Sequence, residues 1–217
     1  MDLKRKFLVA LLVLSVVFGG GVWVGFHMDR GDVDPQDHIE TVFTPYEDGT
    51  ARYLEFLDRA RESVYIAGYS FTDERIADKL IELKTRRGVK EIHVLLDLEQ
   101  TQGWSGSKIL SLAEKMRGAG IEVVIGTSER SSEIMHHKYT VVDRIWVEDG
   151  SFNYTKAANR QANTLNFVKS KKRAALFLDN WQRMHRFMKA QEAQRKLEES
   201  QPAPKPPASK PPRKNQR

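Results

Sequence analysis

Segments typical of strands and of helices alternate through the first half of this 217-residue chain, and that alternation limits the fold more than any other feature. Apolar, β-branched runs of strand length are separated by stretches with helical periodicity. The predicted helices are residues 51–62, 73–86 and 108–118, and the predicted strands are residues 64–69, 92–98 and 121–125. Such alternation predicts an α/β fold whose sheet contains parallel pairs and is flanked by helices.

The second half of the chain continues with a predicted hairpin, one more strand and a long final helix. The hairpin strands are residues 139–142 and 145–148, and a further strand is expected near residues 164–168. The final helix runs from residue 172 to about residue 199, and one of its stripes is apolar: Phe177, Trp181, Met184 and Met188. That stripe predicts a helix that packs one face into the core.

Polar residues and one glycine recur at short intervals through the hairpin region. They are His136, Lys138, Asp143, Gly150, Ser151 and Asn153. Residues two apart on a strand point the same way, so His136 and Lys138 are expected to share a face. A turn at Asp143–Arg144 reverses the chain, and a second turn at Gly150–Ser151 brings Asn153 back towards that face. The sequence therefore predicts one small polar pocket.

The residue types in this pocket suit the chemistry of a phosphodiester. Lys138 would meet a phosphate as a point charge, and Ser151 and Asn153 would donate hydrogen bonds to its oxygens. Together they would stabilise the negative charge on a five-coordinate phosphorus. Neutral His136 would be able to attack phosphorus and form a phosphohistidine, while a second group protonates the leaving oxygen.

Each of these residues also has a simpler interpretation. A His-x-Lys pair alone is common on a solvated strand, and only its combination with the residues that follow indicates catalysis. Asp143 either caps the hairpin turn or supports the catalytic residues from behind, and the sequence leaves both roles open. Gly150 is expected to serve the backbone conformation. His137 should point away from His136, as a bystander, so the two are not expected to share a metal ion.

The spacing of the motif resembles the His-Lys-Asp signature of the phospholipase D superfamily. The segments GSFNYT and IAGYSFTD are similar to those of its small bacterial nucleases, and the resemblance extends over roughly residues 40–190. It implies an α/β sandwich with a mixed central β-sheet flanked by helices, one motif per chain, activity as a dimer and no metal or other cofactor. It also makes His136 the nucleophile and acid, and Lys138, Ser151 and Asn153 the phosphate ligands.

The chain departs from the family pattern at one position. Family members usually carry a glutamate about eleven residues after the motif asparagine, and this carboxylate orients the catalytic imidazole. Here the matching residue is Thr164, or Leu165 if the flanking asparagines are aligned, and neither is an acid. We expect Thr164 or Asn166 to give the imidazole a neutral hydrogen bond instead, with reduced or substrate-specific activity.

Only one such motif occurs in the chain. The other five histidines lie in no comparable sequence setting: His27, His38, His93, His137 and His185. A two-fold homodimer would supply the second motif by placing each His136 opposite its copy. One imidazole would then be the nucleophile and the other the general acid, so the two would titrate as a coupled pair. The sequence thus predicts a homodimer with a composite active site.

The N-terminus carries a signal for the membrane. Three basic residues at positions 4–6 precede residues 7–26, a run of 20 residues without a charge that is long enough to cross a bilayer. Residues 1–27 are therefore expected to be an anchor in a bacterial inner membrane or a cleaved signal peptide. The basic flank should stay in the cytosol, which places the catalytic domain in the periplasm. The absence of an Ala-x-Ala cleavage site favours the anchor.

The other boundaries follow from composition. Residues 28–40 are predicted to be a linker, residues 41–199 the catalytic domain, and residues 200–217 a disordered tail rich in proline and lysine. The net charge of +6 comes mainly from the two termini, so the domain itself is nearly neutral and the high pI does not indicate a nucleic-acid-binding face. The chain has no cysteine, which excludes disulfides and thiol catalysis.

Three functions remain open from the sequence. The first is a metal-independent, non-specific endonuclease that cuts DNA or RNA through a phosphohistidine. The second is phospholipase D-type lipid hydrolysis by the same chemistry, with the membrane anchor holding the site near its substrate. The third is a catalytically degenerate binding module of an envelope assembly, which would explain the missing glutamate. The contexts of the two nuclease-like segments and the short chain favour the endonuclease.

Overall fold

A single mixed sheet of seven strands organises the protein. The computed structural model describes residues 38–130 and 133–200. The strands are β1 (His38–Thr44), β2 (Ser63–Gly68), β3 (Glu91–Asp97), β4 (Glu122–Gly126), β5 (Lys138–Val142), β6 (Trp146–Gly150) and β7 (Asn163–Lys169). The helices are α1 (Gly49–Leu57), α2 (Glu74–Thr85), α3 (Leu98–Gln102), α4 (Gly106–Gly118) and α5 (Lys171–Ser200), and a short 3-10 helix (Ala158–Arg160) precedes β7.

The strand order β1-β7-β6-β5-β2-β3-β4 divides the sheet into two halves. β2, β3 and β4 are parallel, because helical crossovers connect them as the alternating pattern predicted. β5, β6, β7 and β1 pair antiparallel. The halves join where β5 pairs antiparallel with β2. The predicted mixed central sheet is confirmed.

Helices cover both faces of the sheet. α1, α2 and α4 pack on one face and form the larger hydrophobic core with it. α5 covers part of the other face, and the predicted apolar stripe is confirmed there: Trp181, Met184 and Met188 are buried and Phe177 is partly buried. The indole Nε1 of Trp181 also donates to the carbonyl of Ile66 at 2.8 Å. Each large apolar side chain buried in this way stabilises the fold by about 1.5–3 kcal/mol.

Two predicted boundaries are wrong. β1 begins at His38, so the last three residues of the predicted 28–40 linker belong to the sheet. β1 is an edge strand that leaves Ile39 63% and Phe43 52% exposed, and its sequence lacks the apolar run of a central strand. The first helix ends at Leu57 instead of residue 62, because the amides of residues 61–63 bind the Asp143 carboxylate.

The predicted terminal segments lie outside the described residues. This holds for the membrane anchor or signal peptide of residues 1–27 and for the tail, of which only Ser200 is described, as the last residue of α5. Among the helices that the structure describes, none is both long enough and apolar enough to span a bilayer.

A chain of buried, hydrogen-bonded side chains runs through the larger core beneath the hairpin. The hydroxyl of Thr140 lies 2.6 Å from that of Tyr53 and 3.0 Å from that of Tyr154, and Tyr154 donates to the Glu148 carboxylate at 2.9 Å. Burial raises the pKa of Glu148 to about 8, so this side chain is mostly protonated at neutral pH. Burying a neutral carboxyl in such a core costs less free energy than burying a charged carboxylate.

The variant Glu148→Gln is expected to remove a pH dependence of stability. The folded wild type holds the Glu148 proton up to about pH 8, whereas the unfolded chain releases it near pH 4.5. Between these values the unfolded state binds fewer protons, so the wild-type free energy of unfolding falls as pH rises, by about 1 kcal/mol per pH unit. Urea denaturation at several pH values in this window measures the slope. Equal slopes in the two proteins would contradict a neutral Glu148.

Candidate active site

Most of the motif residues lie at one end of the sheet, the end at which β2 and β3 terminate. β5 begins at this end because it runs antiparallel to β2. β6 terminates at the same end and β7 begins there. The strand pairing thereby brings residues that are distant in sequence to the same end of the sheet: residues 69, 97, 136, 151 and 164.

The aromatic ring of Tyr69, the first residue after β2, contacts both residues of the His-x-Lys pair. The centroids of the Tyr69 and His136 rings are 4.4 Å apart, and the Lys138 Nζ lies 4.6 Å from the Tyr69 centroid. The amide of Tyr69 donates to the carbonyl of His137 at 2.8 Å, and its hydroxyl accepts from Gln100 Nε2 at 2.9 Å. His136 and Lys138 therefore meet at one ring, as their spacing predicted, and Tyr69 is a site residue that sequence reasoning missed.

Lys138 is a partly buried cation at the start of β5. Its Nζ donates to the carbonyl of His136 at 2.8 Å. Desolvation lowers the pKa of Lys138 to about 8, although the negative charge of Asp97 opposes that shift. No carboxylate of the described residues forms an ion pair with this ammonium. A cation without a carboxylate partner attracts anions.

Asp97, the last residue of β3, fixes the segment that leads into the motif. Its Oδ2 accepts from the amide of Met135 at 2.7 Å, and its Oδ1 accepts from the amide of Gln100 at 3.2 Å, capping α3. The side chain is buried, and that burial raises its pKa. Sequence reasoning missed this role, but an acidic residue at the end of an apolar predicted strand was a signal for it.

The imidazole of His136 is exposed and has a lowered pKa. Desolvation is the main cause and the Lys138 charge adds to it, while Asp97 acts in the opposite direction. The neutral form, which has a free nitrogen lone pair, is therefore favoured at neutral pH. No side chain among the described residues forms a hydrogen bond with this imidazole.

The turn after β6 lies beside Lys138. The register of Tyr139 with Asp149 places Gly150 next to Lys138 across the β5–β6 pair. The amide of Ser151 donates to the carbonyl of Thr164 at 3.0 Å. A Cβ at Gly150 would lie 2.0 Å from that same carbonyl oxygen, so only glycine allows this approach.

The polar side chains of this turn differ in their hydrogen bonding. Ser151 Oγ donates to Asn163 Oδ1 at 3.0 Å and accepts from the amide of Thr164 at 3.0 Å. The Oδ1 of Asn153 is buried without a hydrogen-bond partner among the described residues. This oxygen is an acceptor, so it has capacity for a donor group of a ligand, whereas a phosphate oxygen would need the amide NH2.

The residues expected to orient the imidazole do not contact it. The Asn166 Oδ1 accepts from the Thr41 hydroxyl at 3.0 Å, and its Nδ2 donates to Asp149 at 3.3 Å. Thr164 adjoins Ser151 through its backbone, and its side chain forms no hydrogen bond with His136. The carboxylate of the family pattern therefore has no substitute in the described part of a single subunit.

Asp143 lies at the opposite end of β5, about 16 Å from Lys138 at the usual rise per strand residue. Its carboxylate accepts from the amides of Arg61, Glu62 and Ser63 at 2.8–3.2 Å. Of the two roles that the sequence left open for Asp143, its position and contacts favour the structural one, since the length of β5 separates it from the site. It ties the hairpin turn to the start of β2, which is the structural alternative.

His137 points away from the pair, as predicted, and its ring packs 5.4 Å from that of Tyr139. Within residues 38–130 and 133–200, no group of three or more His, Asp or Glu side chains is arranged to hold a metal ion.

The family model described as cardiolipin synthase, PLD-like domain, matches residues 53–185, more than half of the chain. The chain belongs to the phospholipase D superfamily. Within the superfamily, phospholipase D of Rickettsia prowazekii is 31% identical to it over 147 residues, which are 67% of each chain. Mitochondrial cardiolipin hydrolase of Chlamydomonas reinhardtii is 32% identical over 131 residues, 60% of this chain and 52% of that relative.

A solved structure of the phospholipase D superfamily has the same fold. The crystal structure of Nuc from Salmonella typhimurium, a phospholipase D family member, is 27% identical and has a TM-score of 0.62. The similarity covers 70% of this chain and 95% of Nuc. The resemblance seen in the sequence is confirmed, and the protein is a phospholipase D superfamily hydrolase.

Proposed function

We propose that the protein is a metal-independent, non-specific endonuclease that hydrolyses nucleic-acid phosphodiester bonds through a phosphohistidine. Neutral His136 attacks phosphorus, so that a P–N bond forms and the bond to the leaving oxygen breaks. His136 of a second subunit donates a proton to that oxygen. Water then attacks phosphorus and gives its proton to the second imidazole, and the P–N bond breaks, which restores both histidines.

The contacts of His136 and Lys138 with Tyr69 are the observation that carries this proposal. They hold an imidazole with a lowered pKa next to an ammonium that has no carboxylate partner among the described residues. A phosphate bound to Lys138 would lie beside the Tyr69 ring that the His136 imidazole also contacts. Lys138, Ser151 and Asn153 would then stabilise the charge of the transition state, Ser151 by turning its proton from Asn163 to the phosphate.

The positions of the other histidines support a homodimer with a composite site. His93 and His185 bind a shared carboxylate, that of the first residue of β4, at the end of the sheet remote from His136. His38 begins β1, also at the remote end. The His137 ring packs against that of Tyr139. A second copy of the chain would bring the general acid that one subunit lacks.

Nucleic acid is the substrate that the motif contexts favour. GSFNYT and IAGYSFTD resemble the small bacterial nucleases of the superfamily, and the fold corresponds to 95% of Nuc. Lipid hydrolysis is the second candidate, since relatives at 31% and 32% identity are named phospholipase D and mitochondrial cardiolipin hydrolase. A catalytically degenerate binding module is the third, and it is favoured because the His136 imidazole has no hydrogen-bond partner in the part of the chain that the structure describes.

We also propose a location for this activity. The uncharged run of residues 7–26, with its basic flank, would act as an anchor in a bacterial inner membrane or as a cleaved signal peptide. The catalytic domain would then work in the periplasm.

Product analysis in EDTA tests the substrate. The full chain, purified in detergent, is incubated with supercoiled plasmid, with RNA and with phospholipid vesicles containing cardiolipin. Nicking of plasmid or cleavage of RNA supports the endonuclease. Headgroup release without nicking would support the lipid hydrolase, and inactivity on all three substrates would support the binding module.

The variant Thr164→Glu is expected to raise the turnover number several-fold. A carboxylate there would restore the group that stabilises a catalytic imidazolium in the family pattern. The Thr164 backbone accepts from the amide of Ser151 and donates to its Oγ. A longer acidic side chain at position 164 would therefore lie at the same end of the sheet as Ser151. The matched control is Asn166→Glu, two residues further from that end, with no expected gain. A lower turnover in Thr164→Glu would count against the alignment.

A further inference from the structure

A groove of about 320 Å³ opens beside His136, between the segment that leads into β5 and helix α5. Apolar side chains of Ile134, Met135 and Met184 line part of it, and Asn180 and Arg183 of α5 line another part. Small-ligand sites usually measure about 300–1,000 Å³. The groove is therefore at the small end of that range and suits a ligand about the size of one nucleotide.

Arg183 is held in the groove by two neighbours. Its Nη2 donates to Asn180 Oδ1 at 2.9 Å, and its Nε lies 3.1 Å from Glu129 Oε1. Asn180 in turn donates to the Tyr139 hydroxyl at 3.0 Å, which connects Arg183 to the strand that begins with Lys138. A guanidinium has five N–H donors, and these contacts use only part of them. The side chain is 63% exposed, so its remaining donors are accessible to a ligand.

Arg183 and Lys138 have suitable charges for two successive phosphates. The charges of both side chains lower the pKa of His137, which is lowered mainly by burial and also by the charge of His136. Lys138 lies at the reacting centre and Arg183 in the groove next to it. A planar guanidinium binds a phosphate through paired hydrogen bonds. A groove that takes only an uncharged ligand would not need such a group. Glu129 competes for Arg183, so a phosphate would bind by sharing or displacing that contact.

We propose that this groove binds the nucleotide next to the scissile bond, with Arg183 contacting the phosphate beyond the one attacked. The proposal rests on the endonuclease function and adds a substrate subsite to it. The apolar part of the groove would contact the base or sugar, while the guanidinium binds the backbone. Such a contact is independent of sequence, which agrees with non-specific cleavage.

Comparison of two substrates tests this subsite. Bis(p-nitrophenyl) phosphate has a single phosphate and reports the reacting centre, whereas a single-stranded oligonucleotide also has neighbouring phosphates. In Arg183→Ala, kcat/KM for the oligonucleotide should fall about 10-fold, and the slope of log(kcat/KM) against the logarithm of salt concentration should decrease by about one. Hydrolysis of bis(p-nitrophenyl) phosphate should stay unchanged. Arg183→Lys should recover part of the loss because it keeps the charge but not the fork.

Lys196→Ala is the matched control. It removes one positive charge from the same helix, about 20 Å further along, and should leave both substrates unaffected. Unchanged oligonucleotide cleavage in Arg183→Ala, or an equal loss on both substrates, would overturn the proposed subsite.

A binding measurement separates this failure from failure of the nuclease function. Oligonucleotide affinity is measured by fluorescence anisotropy with His136→Asn, alone and combined with Arg183→Ala. A lower affinity in the double variant supports the subsite even if turnover is undetectable. A wild type that hydrolyses bis(p-nitrophenyl) phosphate but neither cleaves nor binds the oligonucleotide would overturn both proposals. Loss of cardiolipin hydrolysis alone in Arg183→Ala would assign the groove to a lipid headgroup instead.

Discussion

His136→Ala is expected to hydrolyse bis(p-nitrophenyl) phosphate in EDTA at least about 10⁴-fold more slowly than the wild type. The substitution removes the proposed nucleophile of one subunit and, in the proposed homodimer, the general acid of the other. No other described imidazole is placed to replace it, because His93 and His185 bind a carboxylate at the remote end of the sheet. Initial rates of nitrophenolate release measure the loss.

His38→Ala serves as the control for this variant. His38 is exposed at the start of β1, away from the site, and its replacement should leave the rate unchanged. A His136→Ala protein that keeps a tenth of the wild-type rate would contradict the nucleophile assignment.

Mixed dimers test the composite site with the same variant. When wild-type chains exchange with a large excess of His136→Ala chains, most wild-type subunits enter mixed dimers. Activity per wild-type subunit should then fall towards zero. Activity that stays proportional to the wild-type subunits would show that each subunit works alone.

Lys138→Ala is expected to lower kcat/KM by about 10²–10³-fold. The ammonium lies against the same Tyr69 ring as His136, and the described residues provide no carboxylate that neutralises it. Its removal would leave the negative charge of the transition state without its fixed cation. Lys90→Ala, an exposed lysine before β3, is the control for a lost positive charge. A loss of only a few-fold in Lys138→Ala would exclude a direct contact with the phosphate.

The pH profile gives an independent test of Lys138. Its pKa is lowered to about 8, so the cation is complete well below pH 8 and is lost as pH rises above it. Wild-type activity should therefore include a decline above pH 8 from this group. Lys138→Arg keeps its charge throughout that range. The slope of its log rate against pH should therefore be less negative than that of the wild type by about one. Parallel profiles of the two proteins would show that Lys138 does not titrate in the active form.

Much of the fold could be predicted because local patterns and packing agree. Apolar runs located the central strands, and the stripe of α5 located the helix that covers one face of the sheet. β1 escaped prediction because polar residues interrupt its apolar ones, and α3 because a helix of five residues has little periodicity. The early end of α1 depends on Asp143, which is more than 80 residues away in sequence.

The site was predictable where the residues are close in sequence. Spacing along one hairpin placed His136 and Lys138 together. Tyr69 and Asp97 reach the site only through strand pairing in the parallel half, which periodicity does not specify. The two roles of Asp143 stayed open because the motif does not specify distance, whereas in the structure five residues of extended strand place it at the other end of β5.

The antiparallel junction of β2 with β5 has a consequence for how activity appears during folding. β5, β6 and β7 follow one another through short connections and form contacts local in sequence, whereas β2 pairs with β5 across about 70 residues. Tyr69 and Asp97 come from one side of that junction, and His136, Lys138 and Asn153 from the other. Neither side alone contains a complete catalytic centre. Enzymatic recovery after dilution from denaturant would therefore report the slow long-range docking step, and half-assembled chains would be inert towards any phosphodiester.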